Sequence, residues 1–201
     1  MNKQMRIVRK EDQKVNTWSG GKTTEITIFP LSASYENRDF IFRLSSATVE
    51  VEESDFTKLE DTHRVLMLLD GELTLIHPDR YEKKLTYLDT DTFEGDWGTK
   101  SIGKAKDFNL MVKGKDNFNM IPFSIAPREN LEERLKSENS VNHYMFFMHK
   151  GKCEIKIDHA SALLQEGDLL HLIFEKSVDS KITIENKEIM EAKVIFSYVK
   201  Y

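Results

Sequence analysis

Short apolar runs cut by turn residues follow one another along the whole chain, and that pattern leaves little room for anything but β-structure. Glu25–Phe29, Phe40–Leu44, Val65–Leu69, Leu73–Ile76, Phe108–Val112, Tyr144–Met148, Glu154–Ile157, Leu169–Phe174 and Val194–Val199 each have the length and residue types of a strand. Helical periodicity is scarce. Its one candidate is Glu129–Lys136, where Leu131 and Leu135 stand four apart, and that segment reads equally as a strand with charges on its solvent face. Many short strands with regular turn signals predict a sandwich or barrel.

An internal repeat sharpens the expectation. Val65–Ile76 lines up with Met145–Lys156: an apolar strand meets a glycine, Gly71 or Gly151, and an alternating strand begins. Asp70-Gly71 reads as a type I′ hairpin turn, and Lys150-Gly151 sits at the matching place. An acidic turn follows in each half, at Asp89–Phe93 and at Gln165–Leu169, and each half closes on an apolar strand, 107–112 and 194–199. This is the grammar of a cupin-like barrel, a double-stranded β-helix. Two copies predict an all-β bicupin, with barrels at 1–115 and 116–201 and a boundary near Lys113–Asn117.

The 201 residues allow one large domain or two small ones. A chain of this size buries roughly 70% of its extended surface, enough for a true core. No run approaches the ~18 apolar residues of a membrane span. The first ten residues are polar and lack a signal-peptide core, and the single cysteine, Cys153, excludes an internal disulfide framework. A cytoplasmic protein that does not act on membranes is expected. The net charge of -5 argues against nucleic acid as a partner, and the lysines between Lys100 and Lys115 read as a solvated surface. A homodimer is allowed.

Familiar chemical motifs fail one after another. Ser19–Thr24 carries the Gly-Lys-Thr of a phosphate-binding loop, but Asn16 stands where the first glycine belongs and a β-rich run follows instead of a helix. Gly20 and Gly21 fit a tight turn or a close backbone approach. The six histidines include no H-x-H pair; only His149 and His171 could approach each other across a barrel. No metal or other cofactor is expected. Cys153 has no evident base and reads as packing, and there is no nucleophile elbow.

What remains is a polar set on strands that should be apolar. Side chains alternate along a strand, so Arg43 and Ser45 share a face, Asp107 and Asn109 share another, and Arg64 falls in register with Leu66 and Leu68. A guanidinium inside such a run is costly unless acceptors meet it. Either it braces Glu25, Asp96 or Asp107 inside the barrel, or it lines a small-molecule pocket. Arginine forks suit a carboxylate ligand, and Trp18 and Trp97 could wall such a pocket.

Five of these segments, in order, resemble the HutD/Ves family: Trp18–Glu25, Phe42–Glu50, His63-Arg64 followed by Val65–Gly71, Phe93–Trp97 and Asp107–Met111. They span 18–111; the second half matches only in barrel grammar. One departure is His63, where the family pattern often has an acidic residue before the arginine. The resemblance implies a bicupin without the usual metal-binding histidines, an accessory factor of histidine utilisation that binds a small pathway acid such as urocanate or formylglutamate. Carried over position by position, it implies a ligand site of Trp18, Glu25, Arg43, Ser45, Arg64, Asp96, Trp97, Asp107 and Asn109, with Arg64 on the carboxylate. Two rival readings are an isomerase or hydrolase using Glu25, Asp96 or Asp107, and a barrel that serves as an interaction scaffold. The missing metal triad favours binding over oxygenase chemistry.

Overall fold

The computed structural model of the protein describes residues 3–114, 117–137 and 140–201. Apart from one helical turn at Lys10–Asp12, the regular structure is entirely β. The strands are β1 (Lys3–Val8), β2 (Lys14–Trp18), β3 (Gly21–Phe29), β4 (Phe42–Val49), β5 (Glu53–Asp55), β6 (Thr62–Gly71), β7 (Leu73–His77), β8 (Tyr81–Leu85), β9 (Thr90–Glu94), β10 (Lys100–Ile102) and β11 (Ala105–Lys113). They continue with β12 (Asn117–Ile125), β13 (Asn130–Ser137), β14 (Asn142–Lys150), β15 (Lys152–Ile157), β16 (Ala160–Gln165), β17 (Leu169–Phe174), β18 (Val178–Glu185) and β19 (Ala192–Lys200). The segment open to a helical reading is therefore strand β13. Its register with β18, from Asn130 against Glu185 to Leu135 against Ser180, supplies the pairing that a lone pattern of two leucines could not reveal.

The chain forms two compact units. One is Gln13–Asp116; the other joins Met1–Asp12 to Asn117–Tyr201. Each holds two antiparallel sheets, and the strand orders repeat. In the first unit the sheets run β2-β3-β4-β11-β6-β9 and β5-β10-β7-β8. In the second they run β1-β17-β14-β19-β12 and β13-β18-β15-β16. Thus β4-β11-β6-β9 answers β12-β19-β14-β17, and β5-β10-β7-β8 answers β13-β18-β15-β16. The first unit adds the β2-β3 hairpin beside β4, and the second adds β1 beside β17.

The placement of β1 differs from the division at 1–115 and 116–201. Lys3–Val8 pairs with β17 of the second unit, Met5 and Ile7 pack on that unit's core, and Arg9 donates to Asp168 Oδ2 at 2.7 Å. A partner more than 150 residues away leaves no local trace in the sequence. Lys115 and Asp116, within the expected boundary, lie outside the described residues.

Gly71 and Gly151 are not hairpin turns. Strand β6 pairs with β9 and β11 in one sheet, whereas β7 pairs with β8 and β10 in the other; β14 and β15 are likewise in different sheets. The glycine marks the corner where the chain passes between sheets. Of Asp70 and Gly71 only the glycine has positive φ, 85°, so the type I′ geometry is absent. Gly71 also lies against the chain where β10 passes into β11: a Cβ there would sit 2.5 Å from the Lys104 carbonyl oxygen. At the β2–β3 turn, Gly21 allows a similar approach, with the Thr48 carbonyl oxygen 1.9 Å from where a Cβ would be.

Alternation builds each core. Along β15, Cys153, Ile155 and Ile157 are buried while Lys152, Glu154 and Lys156 face outward. They join Tyr144, Phe146, Leu170, Leu172 and Val194 in the second unit's core. Burial pushes the Cys153 thiol up to about 11, which suits a packing role. In the first unit, Leu66, Leu68, Leu73, Leu75, Leu85 and Phe93 form the corresponding cluster.

Gly71→Ala is expected to lower stability by about 1–3 kcal/mol, because it combines a strained φ with a clash against backbone. Gly98→Ala, where an added Cβ would meet only the flexible Lys58 side chain at 3.6 Å, should stay within about 0.5 kcal/mol. Denaturant titration of the two variants checks the contrast.

Candidate functional site

The apolar cluster fills only part of the first unit. A second apolar cluster gathers Ile28, Phe40, Leu59 and Met111, and the same unit holds a cavity of about 350 Å³. Its floor follows from strand register. Met111 of β11 lies between Arg43 of β4 and Arg64 of β6; one step along, Asn109 lies between Ser45 and Leu66; another step brings Asp107 between Ala47 and Leu68. The face that carries Leu66 and Leu68 into the core thus carries Arg64 into the cavity. Trp18 and Asn16 of β2, with Glu36 and Asp55, stand at the exposed mouth, and Tyr35, Phe56 and Thr57 come from connecting segments.

The two arginines are treated differently. Arg43, 4% exposed, donates from Nε to Glu25 Oε2 at 2.7 Å and from Nη1 to Ser45 Oγ at 3.1 Å. It is an internal ion pair of the kind that relieves a buried guanidinium. Arg64, 2% exposed, meets no carboxylate among the described residues. Its Nη2 donates to the Thr57 carbonyl at 2.5 Å, its guanidinium lies 5.5 Å from the Phe56 ring centre and 6.0 Å from that of Phe93, and its Nε meets no acceptor among the described residues. Adjacent strands are roughly 5 Å apart, so two strands of spacing keep Glu25 committed to Arg43. Burial lowers Arg64 to about 10, still charged at neutral pH.

Tyr35 is sandwiched by Arg38 at 4.3 Å and Arg43 at 4.6 Å. Burial works to raise its phenol, but hydrogen bonds with Arg38 and Thr57 and the charges of Arg38 and Arg64 outweigh it and leave the group below its ordinary value. Asp107, 3% exposed, is pushed up to about 7 by burial, against the opposing pull of the Ala47 N–H and the Arg64 charge. Asn109 Oδ1, on the same floor, has no hydrogen-bond partner among the described residues. Unmet donor and acceptor atoms on one cavity make it the candidate polar site.

The structure brings together Trp18, Arg43, Ser45, Arg64, Asp107 and Asn109, with Glu25 behind Arg43. Asp96 and Trp97 are elsewhere. Asp96 is exposed in a turn, and Trp97 packs edge-on against His77 at 5.2 Å with Arg80 over its face at 4.2 Å. His77 there bridges Thr99 and Asp91, each at 2.9 Å, and all three are buried, so the cluster ties β7 of one sheet to β9 of the other. His63, the departure from the family pattern, pairs with Glu94 at 2.9 Å on the adjacent strand. Tyr35, Phe56 and Thr57 were not singled out from the sequence; they lie in connections with no periodicity to read.

The equivalent place in the second unit is chemically unlike it. The repeat puts Tyr144 where Arg64 stands, and the cavity there, about 340 Å³, is walled by the rings of Phe123, Tyr144, Phe146, Phe196 and Tyr198 together with Glu133, Arg134, Lys136 and Lys200. His171 meets His143 at 3.0 Å and not His149. Among the described residues no group of three or more His, Cys, Asp or Glu side chains could hold a metal ion, and no helix is long and apolar enough to cross a membrane.

Fold and cavity together define the class: an all-β protein whose solved neighbours are of the cupin type. Lactobacillus farciminis oxalate decarboxylase is one such neighbour, at 8% identity and TM-score 0.69, over 96% of this chain and 85% of that one. Nearer in sequence are protein PA5104 from Pseudomonas aeruginosa, at 20% identity and TM-score 0.80 over 98% of both chains, and HutD from Pseudomonas fluorescens, at 20% identity and TM-score 0.70 over 98% of this chain and all of that one. No curated protein sequence is significantly similar. The HutD family model matches residues 10–190, and the chain belongs to the HutD family.

Two outcomes follow for the floor. Arg43→Met strands Glu25 and should cost about 3 kcal/mol of stability, read by urea titration. For Asp107, the folded carboxyl keeps its proton up to about pH 7, whereas an unfolded one loses it near 3.8. Between these values the folded state binds more protons, so its stability falls as pH rises. Asp107→Asn removes that fall, and its stability relative to wild type should rise by about 2–3 kcal/mol between pH 5 and pH 8.

Proposed function

We propose that the protein binds a small carboxylate metabolite in the first unit's cavity, with Arg64 on the carboxylate, and that it thereby serves histidine utilisation or a related catabolic pathway. The carrying observation is Arg64 itself: a buried charge, open on one edge to the cavity, with no carboxylate in contact among the described residues. A guanidinium fork is matched by two carboxylate oxygens, and such contacts are stronger than neutral hydrogen bonds. Arg43, by contrast, already has its anion. Membership of the HutD family supports the pathway, with urocanate and formylglutamate as the acids to test. The repeated strand order supports reading the two units as tandem cupin barrels, a bicupin whose first barrel carries the buried arginine pair. Formate, the smallest carboxylate, is complexed by the oxalate decarboxylase that shares the fold.

A second reading has one observation in its favour. Asp107, at about 7, is placed where a general acid or base works well, so turnover of the bound acid is its alternative role. Asp96 takes no part in either reading, because it is remote from the cavity. A mass-spectrometric screen of small molecules retained by the purified protein, followed by incubation with the captured compound, separates binder from enzyme; an empty cavity would favour the scaffold.

Arg64→Met should keep the fold and weaken binding of the acid by roughly 2–5 kcal/mol, the scale for truncating one side of a buried charge pair. Arg64→Lys should also bind poorly, because an ammonium cannot make the two-pronged contact. The measurement is thermal melting of wild type and variants with and without urocanate and formylglutamate. A variant that melts normally and still gains full stability from the acid contradicts the ligand role, and one that unfolds early without ligand makes Arg64 a structural brace.

A further inference from the structure

We infer that the ligand carboxylate enters this cavity together with a proton, taken up by Asp107, whose neutral carboxyl then donates a hydrogen bond to the ligand. The site would therefore select acids that present acceptor atoms, not N–H groups, to the Asp107 end. The inference rests on the carboxylate-binding reading and concerns a residue that reading leaves without a task.

Asp107 is buried on the cavity floor with little to hold a negative charge. One backbone N–H reaches it, from Ala47, at 3.3 Å, a long contact for a carboxylate. It makes no contact ion pair with either arginine of the same cavity. Arg43, facing from β4, is spent on Glu25 of β3 and on Ser45. Arg64, facing from β6, gives one nitrogen to Thr57. The connection between β3 and β4 contributes Tyr35 and Arg38, with Glu36 at the exposed mouth, and β5 contributes the exposed Asp55. What favours an ionised Asp107 is thus the distant charge of Arg64 and one weak hydrogen bond.

A ligand carboxylate on Arg64 removes that support twice. It neutralises the cation that steadies the Asp107 charge, and it adds a like charge within the same small cavity. Two carboxylates sharing a site hold one proton between them, and an O–H···O⁻ bond from Asp107 to the ligand is of the short, charge-assisted kind. The proton comes from solvent and converts the Asp107 carboxylate to the acid; no other bond is made or broken.

Calorimetric titration of the full chain with formylglutamate, whose carboxyl groups stay ionised between pH 6 and 9, tests this. Runs in two buffers of different ionisation enthalpy report protons exchanged. The expected result is uptake of about one proton per ligand well above pH 7, with affinity falling about tenfold per pH unit there. Asp107→Asn, which carries a permanent N–H donor, should show no uptake and bind at least tenfold more tightly than wild type at pH 9. Binding without proton uptake, or affinity that rises with pH and vanishes in Asp107→Asn, overturns the inference and makes Asp107 an acceptor of a ligand N–H, while leaving the carboxylate reading intact. No binding of formylglutamate, urocanate or formate at any pH overturns both. Should Asp107→Asn fail to fold, proton uptake by the wild type decides alone.

Discussion

Of the two buried arginines in the first unit, Arg43 has the Glu25 carboxylate as partner and Arg64 does not, and the character of the cavity follows from that difference. Glu25 and Arg43 lie on adjacent strands and meet at 2.7 Å. Arg64 lies two strands from Arg43, across Met111, and is left with a backbone carbonyl and two aromatic rings. Pairing both arginines would have made a structural polar core. Pairing one leaves a fixed guanidinium whose desolvation is already part of the folded state, so an arriving carboxylate need not strip water from it. Asp107, too weakly supported to stay fully ionised, avoids quenching Arg64 from within.

The same strand arrangement occurs in both units, yet only one has this chemistry. The glycine corner after β6 and its counterpart after β14 carry each chain from one sheet to the other, which lets a short unit close around an interior. In the second unit Tyr144, Phe196 and Tyr198 bring rings to the cavity, and its charged lining residues are Glu133, Arg134, Lys136 and Lys200. Sheet architecture sets where an interior surface will be; the residue at each inward position decides whether it becomes core or site.

Strand positions, the all-β class and the repeat were legible because alternation and glycine punctuation are local signals. So was the polar floor: Arg43, Ser45, Arg64, Asp107 and Asn109 stand out as polar residues in apolar strands, and they do line one cavity. Three features were not legible. Pairing partners of β1 are remote in sequence. The corner at Gly71 resembles a hairpin because both need a glycine with positive φ, and only sheet pairing tells them apart. Trp97 looked like a pocket wall because aromatic type and glycine neighbours say nothing about direction, and it turned toward His77.

The account stands on Arg64 being the open, ligand-seeking arginine and Arg43 the closed one. The most direct test is nuclear magnetic resonance of the arginine Nε–H groups in protein labelled with nitrogen-15, recorded before and after adding the metabolite acid. The account expects the Arg64 Nε–H, which meets no acceptor among the described residues, to move strongly downfield as it meets the carboxylate, while the Arg43 Nε–H, already bound to Glu25, holds its position. An Arg64 signal that stays in place while other cavity groups respond, or a shift confined to Arg43, would contradict it.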